Sequence, residues 1–231
     1  MNAAPMRALD ARSADAIARA FLPARWYGNR WHYFYSRGKL GSDPLYPGVV
    51  DALRGTNAPL LDLGCGIGLL AHALRRSGVA LPYRGVDNDA TKIGHALRAR
   101  DNAGLHDVSF TVVDLARGLP AHRGSVALLD VLQFVPPQAH GAIVDAAIAM
   151  LVPGAKLVIR TGLEDGGSRA RFTRQVDAFS RVLGWMNSGP KRYPDADMLR
   201  ARFDAAGLQA EFEPLYGNTP FNNWRIVATK P

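Results

Sequence analysis

Apolar and polar positions along the chain follow two alternating periods. Short apolar runs of four to seven residues recur between longer stretches with apolar residues at helical spacing. A first helix is expected over residues 8–22, with Leu9, Ala16, Ile17, Ala20 and Phe21 on its apolar face and Pro23 as its stop. A short helix, Val49–Arg54, leads into a first strand ending at Leu63. Then come a helix over Gly66–Arg76, a strand over Pro82–Asp87 and a helix from Ala90 to about Ala103. The third strand closes at Asp114 and the fourth near Asp130 and Val131. Pro136 and Pro137 open a helix carrying Ile143, Ala147, Ile148 and Leu151, and the fifth strand starts after Pro153-Gly154. An amphipathic helix over 168–186 is expected from Phe172, Val176, Phe179, Val182 and Leu183. Another follows over Asp195–Ala206, capped by Gly207. Two last strands, Leu208–Leu215 and Asn223–Lys230, have no helix between them, which permits an antiparallel pair. Strands alternating with helices imply a doubly wound α/β domain with a mostly parallel sheet.

One stretch, Pro59–Leu70, carries the densest signal: an apolar strand runs into Gly64, Gly66 and Gly68, and a helix begins directly afterwards. Glycines at such a corner let the chain turn sharply and let a ligand approach the backbone. The helix start supplies free N–H groups and a positive dipole end. In a doubly wound sheet the ligand lies at the carboxyl ends of the strands. Four of the first five strands here end at or beside a polar side chain: Asp87, Asp114, Asp130 and Arg160.

Length and composition (231 residues, 48% hydrophobic, 21% charged) suit one soluble globular domain and exclude a fibrous or disordered chain. No apolar run reaches membrane-spanning length, and Cys65 is the only cysteine, so no internal disulfide can form. A cytoplasmic location is expected. The net charge of +8 is clustered. Residues 1–55 hold eight basic and four acidic side chains, and residues 166–194 hold six basic and one acidic. Such clustering favours anionic partners: an acidic carrier protein, a membrane surface touched peripherally, or nucleic acid. Two of the four tryptophans and four of the seven tyrosines fall between Arg25 and Pro47, laced with Arg25, Arg30, Arg37 and Lys39. This segment is read either as a cap whose rings pack on the main domain or as a lid lining a pocket.

The strand-end residues together resemble class I S-adenosylmethionine (SAM)-dependent methyltransferases. Leu61-Asp62-Leu63-Gly64-Cys65-Gly66-Ile67-Gly68 is similar to that family's first motif. Gly85-Val86-Asp87-Asn88-Asp89 resembles its second, where an acid holds the ribose hydroxyls. Val113-Asp114-Leu115 resembles its third, next to the adenine amino group. Asp130-Val131-Leu132-Gln133 falls where the family faces the methyl group, and Leu151-Val152-Pro153-Gly154 resembles its turn before the fifth strand. The resemblance implies a Rossmann-like sheet of seven strands with an antiparallel final strand. It implies SAM as cofactor, held by Asp62, Gly64, Cys65, Gly66, Gly68, Asp87, Asn88, Asp114, Leu115 and Asp130, with Arg37 added as a partner for the SAM carboxylate. Residues 1–55 are then the cap or lid and residues 56–231 the SAM-binding domain.

One position departs from the pattern. Many small-molecule members carry His where this chain has Gln133, and a glutamine cannot act as a general base. Residues placed to assist transfer are Tyr33, Tyr35, Gln133 and Arg160, with His32 beside them. No group of acidic and His residues has metal-site spacing, so metal-assisted catechol methylation is not implied. The expected acceptor is a small aromatic, acyl or lipid-like molecule, free or carrier-bound. Arg37-Gly38-Lys39-Leu40, Asp43-Pro44 and Thr219-Pro220-Phe221-Asn222-Asn223 are similar to methyltransferases of bacterial aryl-polyene and acyl-carrier pathways. The alternatives are a methyltransferase acting on nucleic acid or protein, and a non-catalytic SAM-binding module. The absence of an N/D-P-P-Y type motif and of an appended binding domain weighs against nucleic acid.

Overall fold

A computed structural model describes residues 6–163, 193–215 and 222–231. The expected 168–186 helix and most of the 219–223 motif lie outside these residues. Among the described residues seven strands form one sheet, in the order β3-β2-β1-β4-β5-β7-β6. They are β1 (Leu60–Leu63), β2 (Tyr83–Asp87), β3 (Val108–Val112), β4 (Ser125–Leu129), β5 (Lys156–Gly162), β6 (Gln209–Pro214) and β7 (Asn223–Thr229). All neighbouring pairs are parallel except those of β7, which runs antiparallel to β5 and β6. Among the described residues the α-helices are α1 (Ala11–Ala18), α2 (Trp31–Ser42), α3 (Leu45–Leu53), α4 (Leu69–Arg76), α5 (Ala90–Asn102), α6 (Pro137–Ala149) and α7 (Ala196–Ala205).

Strand alternation divides the core into two layers. Leu60, Tyr83, Phe110, Ala127 and Val158 face the side covered by α1, α3, α4 and α5. Leu61, Leu63, Val86, Leu128 and Ile159 face the side covered by α6 and α7. Because β1 is buried on both faces, Asp62 falls in the first layer beside Leu60, only 2% exposed. The same parity puts Arg160, of β5, on that layer.

Helix starts follow the capping chemistry of the chain. Asp10, Asp89 and Asp195 each accept a backbone N–H from the first turn of α1, α5 and α7. Cations of the sheet tie down α3: Lys156 Nζ donates to the carbonyl of Ala52 in its last turn (2.6 Å), and Arg225 to that of Gly48 in its first turn (2.7 Å).

The N-terminal segment differs from its expected form. Its middle is a 12-residue helix, α2, that the apolar pattern does not announce. The rings mostly do not pack on the domain: Trp26, Tyr27, Trp31, Phe34 and Tyr35 are exposed, and Tyr46 is buried.

Candidate active site at the carboxyl ends of β1, β2, β4 and β5

The glycine turn is built by three left-handed residues. Gly64, Gly66 and Gly68 have φ of 78°, 57° and 82°, a region that costs a side chain energy. Two of them are also sites of close approach. A Cβ on Gly64 would stand 2.5 Å from Val131 Cγ2, and one on Gly68 2.5 Å from Phe110 Cζ. At Gly66 a Cβ would meet nothing within 4 Å among the described residues, so this glycine's backbone borders open space there. The N–H groups of Gly64 and Cys65 both donate to the carbonyl of Val86, at 2.7 and 2.9 Å, which holds the turn against β2. Gly68 then caps α4 with no side chain, so the first-turn N–H groups of that helix have no side-chain partner.

Asp87 ends β2 with its carboxylate clamped. One oxygen accepts from the N–H of Gly66 (2.9 Å) and the other from the N–H of Asp89 (3.0 Å). Two backbone donors on separate elements fix the plane of the group beside the open side of Gly66. Asn88 is exposed next to it. Asp114 caps the short helix Leu115–Arg117, accepting from the N–H of Ala116 at 3.0 Å, and stays exposed. Leu115 is partly buried behind it.

Asp62 and Cys65 are not open to a ligand in the same way. Tyr83 donates its hydroxyl to Asp62 at 2.5 Å, and the other carboxyl oxygen is buried without a partner among the described residues. Burial, resisted by the Tyr83 hydrogen bond and reinforced by the Asp87 charge, pushes the Asp62 carboxyl up to about 7. Cys65 is partly buried, and its desolvation pushes the thiol far above the ordinary range, so it is an inert packing group.

At the ends of β4 and β5 lies a buried ionic network. Arg160 pairs with Asp130 through one Nη and with Asp43 through the other, at 3.2 Å. Lys39 Nζ closes the chain on Asp43 at 2.7 Å. Burial alone would raise the Asp43 carboxyl, but the Arg160 and Lys39 charges outweigh it and hold it below the usual carboxylate range. Asp130 has φ of 60° and donates its backbone N–H to the carbonyl of Arg160 at 2.8 Å. Lys39 lies on α2 and Asp43 just after it, so this network anchors the end of the N-terminal segment to the strand ends. Asp43 is the residue that sequence reasoning missed. It figures in the sequence pattern only within the Asp43-Pro44 motif; a further signal is that it is the first acid after a wholly basic run, residues 25–42.

Among the described residues, the Nε–H of Arg160 and the Oε1 of Gln133 are buried at these strand ends with no partner. They are a donor and an acceptor. Two other expected site residues lie elsewhere. Tyr33 donates to Asp15 of α1 at 2.5 Å, and Arg37 pairs with the same carboxylate at 3.6 Å. Their helix face turns toward α1, so the structure does not bring them to the glycine turn. Tyr35 stacks on Trp31, 4.9 Å between ring centres, and is 41% exposed. His32 contacts His95 of α5, 2.9 Å between Nε2 atoms.

Residues 44–211 match the family described as the methyltransferase domain, and the chain belongs to it. Among its relatives is the ubiquinone biosynthesis O-methyltransferase of Xylella fastidiosa (strain 9a5c), 31% identical over 140 residues, 61% of this chain and 55% of that protein. The enzyme of the same name from Paracidovorax citrulli is 32% identical over 161 residues, covering 65% and 62%. The chain thus spans a little over half the length of the curated relatives it matches. Among solved structures, the magnesium protoporphyrin IX methyltransferase of Synechocystis PCC 6803 with bound SAH superposes with a TM-score of 0.63, covering 92% of each chain at 15% identity. The [4+2]-cyclase SpnF gives the same TM-score at 18% identity, over 95% and 92%. These likenesses establish the seven-stranded methyltransferase fold.

Proposed function

We propose that this chain is a SAM-dependent methyltransferase acting on a small aromatic, acyl or lipid-like acceptor. The observation that carries the reading is the clamped Asp87 beside Gly66. Its two backbone donors fix a buried carboxylate against a glycine turn at which Gly66 borders open space, an arrangement suited to accepting hydrogen bonds from paired hydroxyls. The residues fit the cofactor: Gly64, Gly66 and Gly68 allow close approach, Asp87 would take the ribose, and Asp114 with Leu115 the adenine. SAM supplies an electrophilic methyl group on a sulfonium when bound.

The chain's own part is alignment and exclusion of water, which in-line displacement requires more than covalent help. The Nε–H of Arg160 and Oε1 of Gln133 would hold a polar handle of the acceptor between a donor and an acceptor atom. Neither takes up a proton at neutral pH, because a guanidinium is already protonated and an amide is not basic. Tyr35, on the solvent side of α2, is the remaining candidate for contact with the acceptor. Residues 1–55 serve as the lid, latched by Lys39 and Asp43 onto Arg160. The names of the O-methyltransferase relatives support a small-molecule acceptor, and the basic N-terminal segment is compatible with an acidic carrier presenting it.

Calorimetric titration of SAM and SAH into wild type and Asp87→Ala tests the reading. Losing a carboxylate that accepts charge-assisted hydrogen bonds should cost about 2–3 kcal/mol in total, so affinity should fall by roughly 30- to 150-fold. Unchanged affinity would overturn the assignment. Release of SAH with an acceptor present separates methyl transfer from the other chemistry this fold carries, as in the cyclase above.

A further inference from the structure

Helix α2 is inside out. At 100° per residue, Trp31, Phe34 and Tyr35 share one face with Gly38, while Ser36 and Leu40 lie on the opposite face. The inward face is the one that carries Ser36, fully buried, and Leu40. The outward face carries the rings, with Trp31, Phe34 and Tyr35 exposed by 51%, 60% and 41%. The preceding loop extends this surface with Trp26 and Tyr27, packed edge to face at 5.6 Å between ring centres. Arg30 joins the two parts by donating to the Trp26 carbonyl at 3.3 Å, and Arg25 donates to the Tyr27 hydroxyl at 2.9 Å. Residues 25–42 contain three arginines and one lysine and no acidic residue. Soluble domains rarely show clustered large rings without a partner.

We propose that residues 25–37 form an interfacial docking surface for an anionic phospholipid bilayer. Tryptophan and tyrosine settle where one end of the ring is apolar and the other wet, which is the headgroup level of a membrane. Phe34 has no polar atom and gains only from an apolar environment. Arg25 and Arg30 flank the rings and meet lipid phosphates, the charge pattern of helices that lie in the interface plane. The docking face and the Lys39–Asp43 latch lie on the same segment, so the bilayer surface and the strand-end site are joined by α2. An acceptor dissolved in the bilayer would then reach the site without crossing water. That last link rests on the methyltransferase reading, whereas the docking itself does not.

The test is flotation of the full chain with phosphatidylcholine vesicles, with and without phosphatidylglycerol. Binding is expected to the anionic vesicles, to weaken with salt, and to fall at least tenfold in Trp31→Ala/Phe34→Ala. Arg25→Gln and Arg30→Gln should each weaken it about fivefold, since a cation near an anionic surface contributes on the order of 1 kcal/mol. Arg76→Gln, an exposed cation on α4, should change nothing. If the ring variant does not fold, quenching of wild-type tryptophan emission by brominated lipid reads the same contact. Asp87→Ala should lose SAH and keep its vesicle binding, so failure of the enzymatic reading is distinguishable from failure of docking. Absence of binding to anionic vesicles overturns the proposal, as does equal binding by the ring variant. Capture of single-stranded oligonucleotide, an acidic carrier protein or a second copy in place of vesicles also overturns it.

Discussion

Replacing Asp62 by Asn should make the protein more stable at neutral pH and leave it little changed in acid. The Asp62 carboxyl is raised from 3.8 in an unfolded chain to about 7 in the folded one, chiefly by burial. Between those values the folded chain holds a proton that the unfolded chain releases. The contribution of Asp62 is therefore fully present below about pH 4 and is lost as the pH rises through about 7. A difference of roughly three pKa units corresponds to about 4 kcal/mol, an upper bound. Asn keeps an oxygen for the Tyr83 hydroxyl and carries no charge at any pH. The stability of Asp62→Asn relative to wild type should thus climb by a few kcal/mol across this window and level off above it.

His72 provides an internal contrast. Burial lowers its imidazole from 6.5 to about 4, so here the unfolded chain takes up the proton, and stability is lost as the pH falls through that range. The two contributions oppose each other between about pH 4 and 6.5 and partly cancel in wild type. His72→Phe should expose the Asp62 slope, and Asp62→Asn the His72 slope. Urea unfolding followed by tryptophan fluorescence at closely spaced pH values measures both. Parallel profiles for wild type and Asp62→Asn would refute the reasoning and mean that Asp62 is ionised in the folded protein.

The glycine turn separates strain from ligand space. Gly68→Ala should lower stability by about 1–3 kcal/mol in denaturant melts, from both its left-handed φ and the clash with Phe110, while Gly66→Ala should cost about 1 kcal/mol and mainly weaken SAH binding in calorimetry. Gln133→Ala should lower activity and leave the limbs of the pH–rate profile where they are, because an amide does not titrate; a shifted limb would mean that Gln133 holds a titrating group in place. Asp43→Asn should loosen α2 by weakening its hold on Lys39 and Arg160, so trypsin should cut between Arg25 and Lys39 faster than in wild type, and SAH should slow that cleavage.

The central part of the fold is legible in the chain because each strand there is a local event. Leu60–Leu63 is apolar enough to be buried on both sides, and the glycines that end it announce the turn by their chemistry. The antiparallel return of β7 follows from the missing helix between the last two strands. Helix α2 was not legible. Its apolar residues do cluster at helical spacing, but with Gly38 and Gly41 among them and polar Ser36 at the position that ends up buried. Reading an apolar face as an inward face fails here because the ring-bearing face is the exposed one.

The site divides in the same way. Gly66 and Asp87 were readable because motif and geometry concern backbone within 21 positions. The pairing of Asp43 with Arg160 spans 117 positions, and nothing local in either neighbourhood specifies the other. What brings them together is strand parity: Arg160 must face the layer holding α3, and a charge forced into that layer requires an opposite charge from whatever element covers it. Asp130 alone would leave the outer side of the guanidinium facing apolar packing. The segment after α2 supplies the second carboxylate, and Lys39 in turn holds that carboxylate ionised. A buried cation on β5 thus determines where the N-terminal segment must dock. Removing Lys39 and Asp43 together would leave Arg160 with half its compensation and α2 without its anchor.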